Sequence, residues 1–145
     1  MQDIFIIGCG YIGQKLATRI LTETDDTEVM ALARSSASNQ HLQSLDIITV
    51  PGDLDNPKLL SELPTGQTTV YYFAPPPPQG TEDTRLKAFL SALKPKQYPD
   101  KLVLISTTGV YGDCAGAWID EQQPLKPQSD RARRRQDAET QLLAW

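Results

Sequence analysis

Ile4-Phe5-Ile6-Ile7-Gly8-Cys9-Gly10-Tyr11-Ile12-Gly13 is the stretch that decides the fold. Four consecutive apolar residues read as a strand, and G-x-G-x-x-G follows at once. Gln14-Lys15-Leu16-Ala17-Thr18-Arg19-Ile20-Leu21 then continues as a helix. Strand, glycine turn and helix in that order are the context in which this pattern marks a dinucleotide site. Gly8 is expected to permit the tight turn, Gly10 to let the backbone approach a pyrophosphate, and Gly13 to let the helix pack close to the strand. The phosphates would meet the free N–H groups at the helix start, where the macrodipole favours anions. Tyr11 and Ile12 belong to the same cradle. The plainer alternative is a glycine-rich turn that only packs a helix on a sheet.

Outward from this stretch, apolar runs alternate with helical patterns. Strands are expected at Asp3–Ile7, Glu28–Ala33, Asp46–Val50, Thr69–Phe73 and Lys101–Ser106, and helices at Tyr11–Thr22, Asn39–Ser44, Asn56–Glu62, Glu82–Leu93 and Ser129–Ala144. Such alternation implies a doubly wound α/β domain on a parallel sheet. Right-handed crossovers give the strand order 3-2-1-4-5. Runs such as Leu102-Val103-Leu104-Ile105 lack polar alternation and suit strands buried on both faces. Pro75-Pro76-Pro77-Pro78 reads as a stiff extended loop after the fourth strand.

The 145 residues suffice for one domain with a real core. A net charge of -4 argues against general nucleic-acid or anionic-membrane binding, both of which need a basic surface. Two cysteines without C-x-x-C spacing, Cys9 and Cys114, read as free thiols in a reducing, cytoplasmic setting. The one histidine, His41, is placed on a solvated helix, so neither a zinc site nor a histidine triad is expected. No apolar run reaches the length of a membrane span, and the start lacks the pattern of a signal peptide. No substrate lobe follows the last helix. The expectation is a nucleotide-binding domain over residues 1–145 that forms the N-terminal part of a longer protein, with a self-contained nucleotide-binding unit as the alternative.

The choice of dinucleotide turns on Arg34, at the end of the second strand. A carboxylate there would bond the ribose hydroxyls of NAD. A guanidinium instead suits a 2′-phosphate, so NADP is favoured over NAD.

Gly52-Asp53-Leu54 follows the third strand, Thr69-Val70-Tyr71-Tyr72-Phe73-Ala74 makes the fourth, and Ser106-Thr107-Thr108-Gly109-Val110-Tyr111-Gly112-Asp113 follows the fifth. With the glycine loop, these segments make the chain resemble the N-terminal Rossmann part of the extended short-chain dehydrogenase/reductases, the NAD-dependent epimerase/dehydratase group. The resemblance implies that Asp53 bonds the adenine amino group, and Leu54 and Ala74 are expected to bind the cofactor as well. It implies that Thr107 is the catalytic hydroxyl that polarises a substrate carbonyl or alcohol. It also implies a small carbonyl or sugar-nucleotide substrate, and a homodimer formed through helices including the one that opens near Ser129.

The family's Y-x-x-x-K pair is missing. Its positions fall on Arg131 and Arg135, and no tyrosine follows Tyr111. Arginine stays protonated and cannot exchange a proton near neutrality. The literal Tyr11…Lys15 match lies inside the glycine loop and is coincidental. The run Arg131, Arg133, Arg134, Arg135 reads as a solvated helix face, with an anion contact as the alternative. Trp118 and Trp145 read as packing residues. Two functions stay open: an NADP-dependent oxidoreductase or epimerase whose proton donor is unidentified, and a non-catalytic dinucleotide-binding sensor.

Overall fold

Phe5, Ile6 and Ile7 are wholly buried, and the strand they form is the centre of the sheet. The computed structural model describes residues 3–145. Five parallel strands, β1 (Ile4–Ile7), β2 (Val29–Ala33), β3 (Ile48–Pro51), β4 (Thr69–Tyr72) and β5 (Lys101–Leu104), lie in the order β3-β2-β1-β4-β5. That is the expected doubly wound order. The helices are α1 (Tyr11–Glu23), α2 (Ser36–Gln43), α3 (Thr84–Ala92) and α4 (Asp130–Ala144).

The chain divides into two compact units: residues 1–75 with 91–105, and residues 76–90 with 106–145. The first unit holds the sheet. Its core joins Ile4, Ile6, Val29, Ala31 and Ala33 to Ala17 of α1 and Leu42 of α2. Register runs Ile4↔Val29 on one side of β1 and Ile4↔Thr69 on the other. A buried polar clamp closes the N-terminal end of the sheet. Thr65 Oγ1 donates to Gln97 O at 2.6 Å, and Gln97 Nε2 donates to Leu63 O at 2.8 Å.

Three expectations need correction. The helix expected at Asn39–Ser44 starts earlier, at Ser36, because Ser35 caps it by accepting from Ser38 N at 3.2 Å. The helix expected at Asn56–Glu62 is only a 3₁₀ turn at Pro57–Leu59. Pro57 favours a first turn, and Pro64 and Gly66 leave no length to extend it. Burial on both faces holds for β1, but β3 and β5 are half exposed because they are the edges of this sheet.

In the second unit, Asp83 caps α3, its Oδ1 accepting from Leu86 N at 3.0 Å. Ser129 caps α4 through Ala132 N. Between the 3₁₀ turn at Thr108–Tyr111 and α4, Trp118 is fully exposed, contrary to the packing role expected of it, and Trp145 is exposed as well. Trp118 sits in a segment with neither helix nor strand, where Ala115 and Gly116 both have positive φ.

Candidate functional site

The glycine turn is built from β1 outward. Gly8 has φ +84°, and a Cβ there would lie 2.5 Å from Ala74 Cα and 2.7 Å from the Phe73 carbonyl carbon. Only glycine fits between the turn and the end of β4. Gly10 is the N-cap of α1 and provides no side-chain cap, and no acidic residue stands in the first helical turn. The first N–H groups of α1 therefore have neither an intrahelical acceptor nor a side-chain oxygen at the cap. A Cβ at Gly10 would meet no heavy atom within 4 Å, so the space above it is open. At Gly13 a Cβ would press on Ile6 Cγ2 at 3.1 Å, so its absence sets how close α1 lies to β1. The three glycines thus have three different surroundings. Together they fit an anionic pyrophosphate lying over Gly10.

Around this turn, Cys9 is half buried, and burial pushes its thiol up to about 11. Gln14 Nε2 donates to Cys9 O at 3.2 Å, while Gln14 Oε1 lies 3.1 Å from His41 Nε2. His41 is exposed on α2, as expected. Tyr11 and Ile12 are exposed, and Lys15 Nζ stands 5.8 Å from the centre of the Tyr11 ring.

The other residues expected at the cofactor lie at the same C-terminal edge of the sheet. Ala74 is buried against Gly8. Asp53 Oδ1 accepts from Asp55 N at 2.9 Å, so one oxygen closes a turn after β3 and the other remains an acceptor. Leu54 is half buried beside it in sequence. Arg34 is exposed at the end of β2 and lines a cavity of about 370 Å³ with Ser35, Ser36, Asn39, Gln43 and Thr49. Sequence reasoning found Arg34 but missed Asn39 and Thr49, which meet only when α2 packs beside β3.

In the second unit, Thr107 is exposed and caps the 3₁₀ turn, its Oγ1 accepting from Gly109 N at 3.3 Å. Its proton stays available for donation. Ser106 Oγ donates to Glu139 Oε1 of α4. The arginine run is not a uniformly solvated face. Arg131 is exposed and Arg133 pairs with Asp130 at 2.8 Å, but Arg134 is buried and donates to Gly80 O at 2.5 Å. Asp137 Oδ2 accepts from Asp83 N at 2.7 Å and also from Gln141 Nε2. Asp83 is fully buried, and its Oδ2 has no hydrogen-bond partner. Burial pushes the Asp83 carboxyl above its ordinary value, only partly offset by the Leu86 N–H and the Arg135 cation.

Among the described residues, no cluster of three or more His, Cys, Asp or Glu could hold a metal. No helix among them is long and apolar enough to cross a membrane.

A parallel sheet of this order, opening on an uncapped glycine turn, defines a dinucleotide-binding domain of the Rossmann class. The NAD(P)H-binding family pattern matches residues 8–142, and the chain belongs to that family. No curated protein matches it. Among solved structures it is similar to the UDP-glucuronic acid 4-epimerase of Bacillus cereus in complex with NAD. The two share 23% identity and a TM-score of 0.72, over 98% of this chain and 51% of that one. The UDP-Glc/GlcNAc 4-epimerase of Campylobacter jejuni gives 18% identity and a TM-score of 0.79, over 99% and 49%. The dTDP-glucose 4,6-dehydratase of Bacillus anthracis, in complex with NAD, gives 20% and 0.76, over 99% and 50%. The resemblance to the epimerase/dehydratase group therefore holds in the fold. The chain spans about half the length of these proteins.

Proposed function

We propose that this chain is the NADP(H)-binding part of an atypical short-chain dehydrogenase/epimerase-like oxidoreductase. The observation that carries the choice of cofactor is Arg34 at the mouth of a cavity whose lining contains no carboxylate. A guanidinium pairs with a phosphate dianion and gains little from a bare ribose. Gly8, Gly10, Tyr11, Ile12 and Gly13 would hold the pyrophosphate and Asp53 the adenine, with Leu54 and Ala74 lining the cofactor site. When bound, the nicotinamide supplies a hydride acceptor or donor. Thr107 would hold the substrate's reacting oxygen with its free proton.

The substrate class is a small carbonyl compound or a sugar nucleotide, the second in keeping with the sugar nucleotides named for the structural relatives. Their doubled length supports a substrate lobe outside this chain. A second reading, a non-catalytic redox sensor, is favoured by one observation. By the resemblance, Arg131 and Arg135 would fall at the positions of the family's tyrosine and lysine, and an arginine cannot serve as a proton donor near neutrality.

Fluorescence titration tests the cofactor. NADPH should bind at least roughly tenfold tighter than NADH, the scale of one charge-assisted hydrogen bond. Arg34→Ala should weaken NADPH far more than NADH and so narrow that difference. Equal losses for both cofactors would overturn the NADP reading. Turnover of NADPH against aldehydes, ketones and sugar nucleotides then separates the two functions, since a sensor binds tightly and consumes none.

A further inference from the structure

The cavity beside Arg34 contains a hydrogen-bond relay that leaves donors facing whatever occupies it. Gln43 Nε2 donates to Thr49 Oγ1 at 3.2 Å. Thr49 has a single hydroxyl proton and gives it to Asn39 Oδ1. The Asn39 acceptor is thereby engaged from β3, and the amide is oriented with its two N–H donors unspent. Ser35 Oγ already accepts from Ser38 N, so its proton too remains to be donated. Arg34 offers only donors. All five of these residues line the cavity, and α2 opens on it with the positive end of its dipole.

An occupant that accepts several hydrogen bonds and carries negative charge therefore suits this cavity best. We propose that Asn39 is a second specificity determinant for the 2′-phosphate of NADP(H), held ready by Thr49 and Gln43 as positioning residues. The proposal rests on the NADP(H) reading above. It adds to that reading that discrimination is shared between an exposed cation and an amide oriented by its neighbours. Loss of Asn39 should weaken phosphate recognition while the charge of Arg34 is intact.

The test compares adenosine 2′,5′-bisphosphate with adenosine 5′-monophosphate by calorimetry, since the pair differ only in the 2′-phosphate. The unaltered chain should prefer the bisphosphate, and the preference should grow as pH rises through about 6, where a phosphate monoester takes its second charge. Asn39→Ala should cut bisphosphate affinity by about tenfold and leave the monophosphate unchanged. Thr49→Val should shift the preference the same way, and Thr49→Ser should restore it. Asn39→Asp, which sets a carboxylate against the phosphate, should abolish the preference and supplies a reading if Thr49→Val fails to fold. If Arg34→Ala lowers bisphosphate binding but Asn39→Ala does not, the relay has no role and the NADP reading stands. If the unaltered chain binds both nucleotides equally, the NADP reading falls and the relay with it.

Discussion

Gly8 and Gly10 stand two residues apart and should answer substitution in opposite ways. Alanine at Gly8 must hold φ +84° and place its Cβ against the backbone at Ala74, which has no flexible end to move. Gly8→Ala should lower unfolding stability by about 2 kcal/mol or more, measured by urea titration. Alanine at Gly10 meets nothing, and its φ of -82° is ordinary. Gly10→Ala should leave stability within about 0.5 kcal/mol and yet weaken NADPH binding sharply, because the added methyl occupies the space over which the pyrophosphate would lie. Loss of stability without loss of binding at Gly10 would contradict this assignment. Between them, Cys9 is held as the neutral thiol. With its value at about 11, about one molecule in a thousand is ionised at pH 8. Cys9 should react with a disulfide reagent far more slowly than an exposed cysteine, as spectrophotometric thiol titration of Cys114→Ser would show.

At the scale of elements, the cap of α3 makes stability depend on pH. Asp83 closes the first turn of α3, yet its second oxygen is buried without a partner. Its folded value lies above the ordinary carboxylate value. The folded state therefore binds the proton more tightly than the unfolded state does. The stabilising contribution of Asp83 is largest at acid pH and is lost as pH rises through the raised folded value. Urea midpoints should climb as pH falls from neutral toward the ordinary carboxylate range. Asp83→Asn, which keeps a capping oxygen, should flatten that climb. An unchanged slope would place the dependence elsewhere. The start of α2 shows how a single oxygen sets an element's length, since Ser35 brings it three residues ahead of where apolar periodicity alone begins it.

At the scale of the whole molecule, a ligand that binds only the folded chain must raise its melting temperature. At a hundredfold excess over Kd the gain is about 2.7 kcal/mol, or roughly 5–10 °C for a chain of this size. Differential scanning fluorimetry with NADPH should show that rise, and Gly10→Ala should lose it. The order of the sheet was legible because alternating runs and right-handed crossovers leave few topologies, and the glycine turn because its residues are contiguous. What was hidden depends on contacts between distant segments. Arg134 is tied to Gly80, Gln97 to Leu63, and Thr49 to Asn39, and none of these pairs has a spacing that announces it. The exposure of Trp118 was hidden for the converse reason, since an apolar residue gives no sign that no element lies beside it.

The wedge of Gly8 against the end of β4 also bears on kinetics. A glycine turn pressed this closely against the end of a strand leaves no room for a side chain, and as a phosphate cradle it should be formed before a ligand arrives. Its ordering entropy is already spent when the sheet forms, so capture should need no prior rearrangement. Encounter should then proceed in a single phase, with a rate linear in cofactor concentration. Its dependence on salt would report the local cations rather than loop motion.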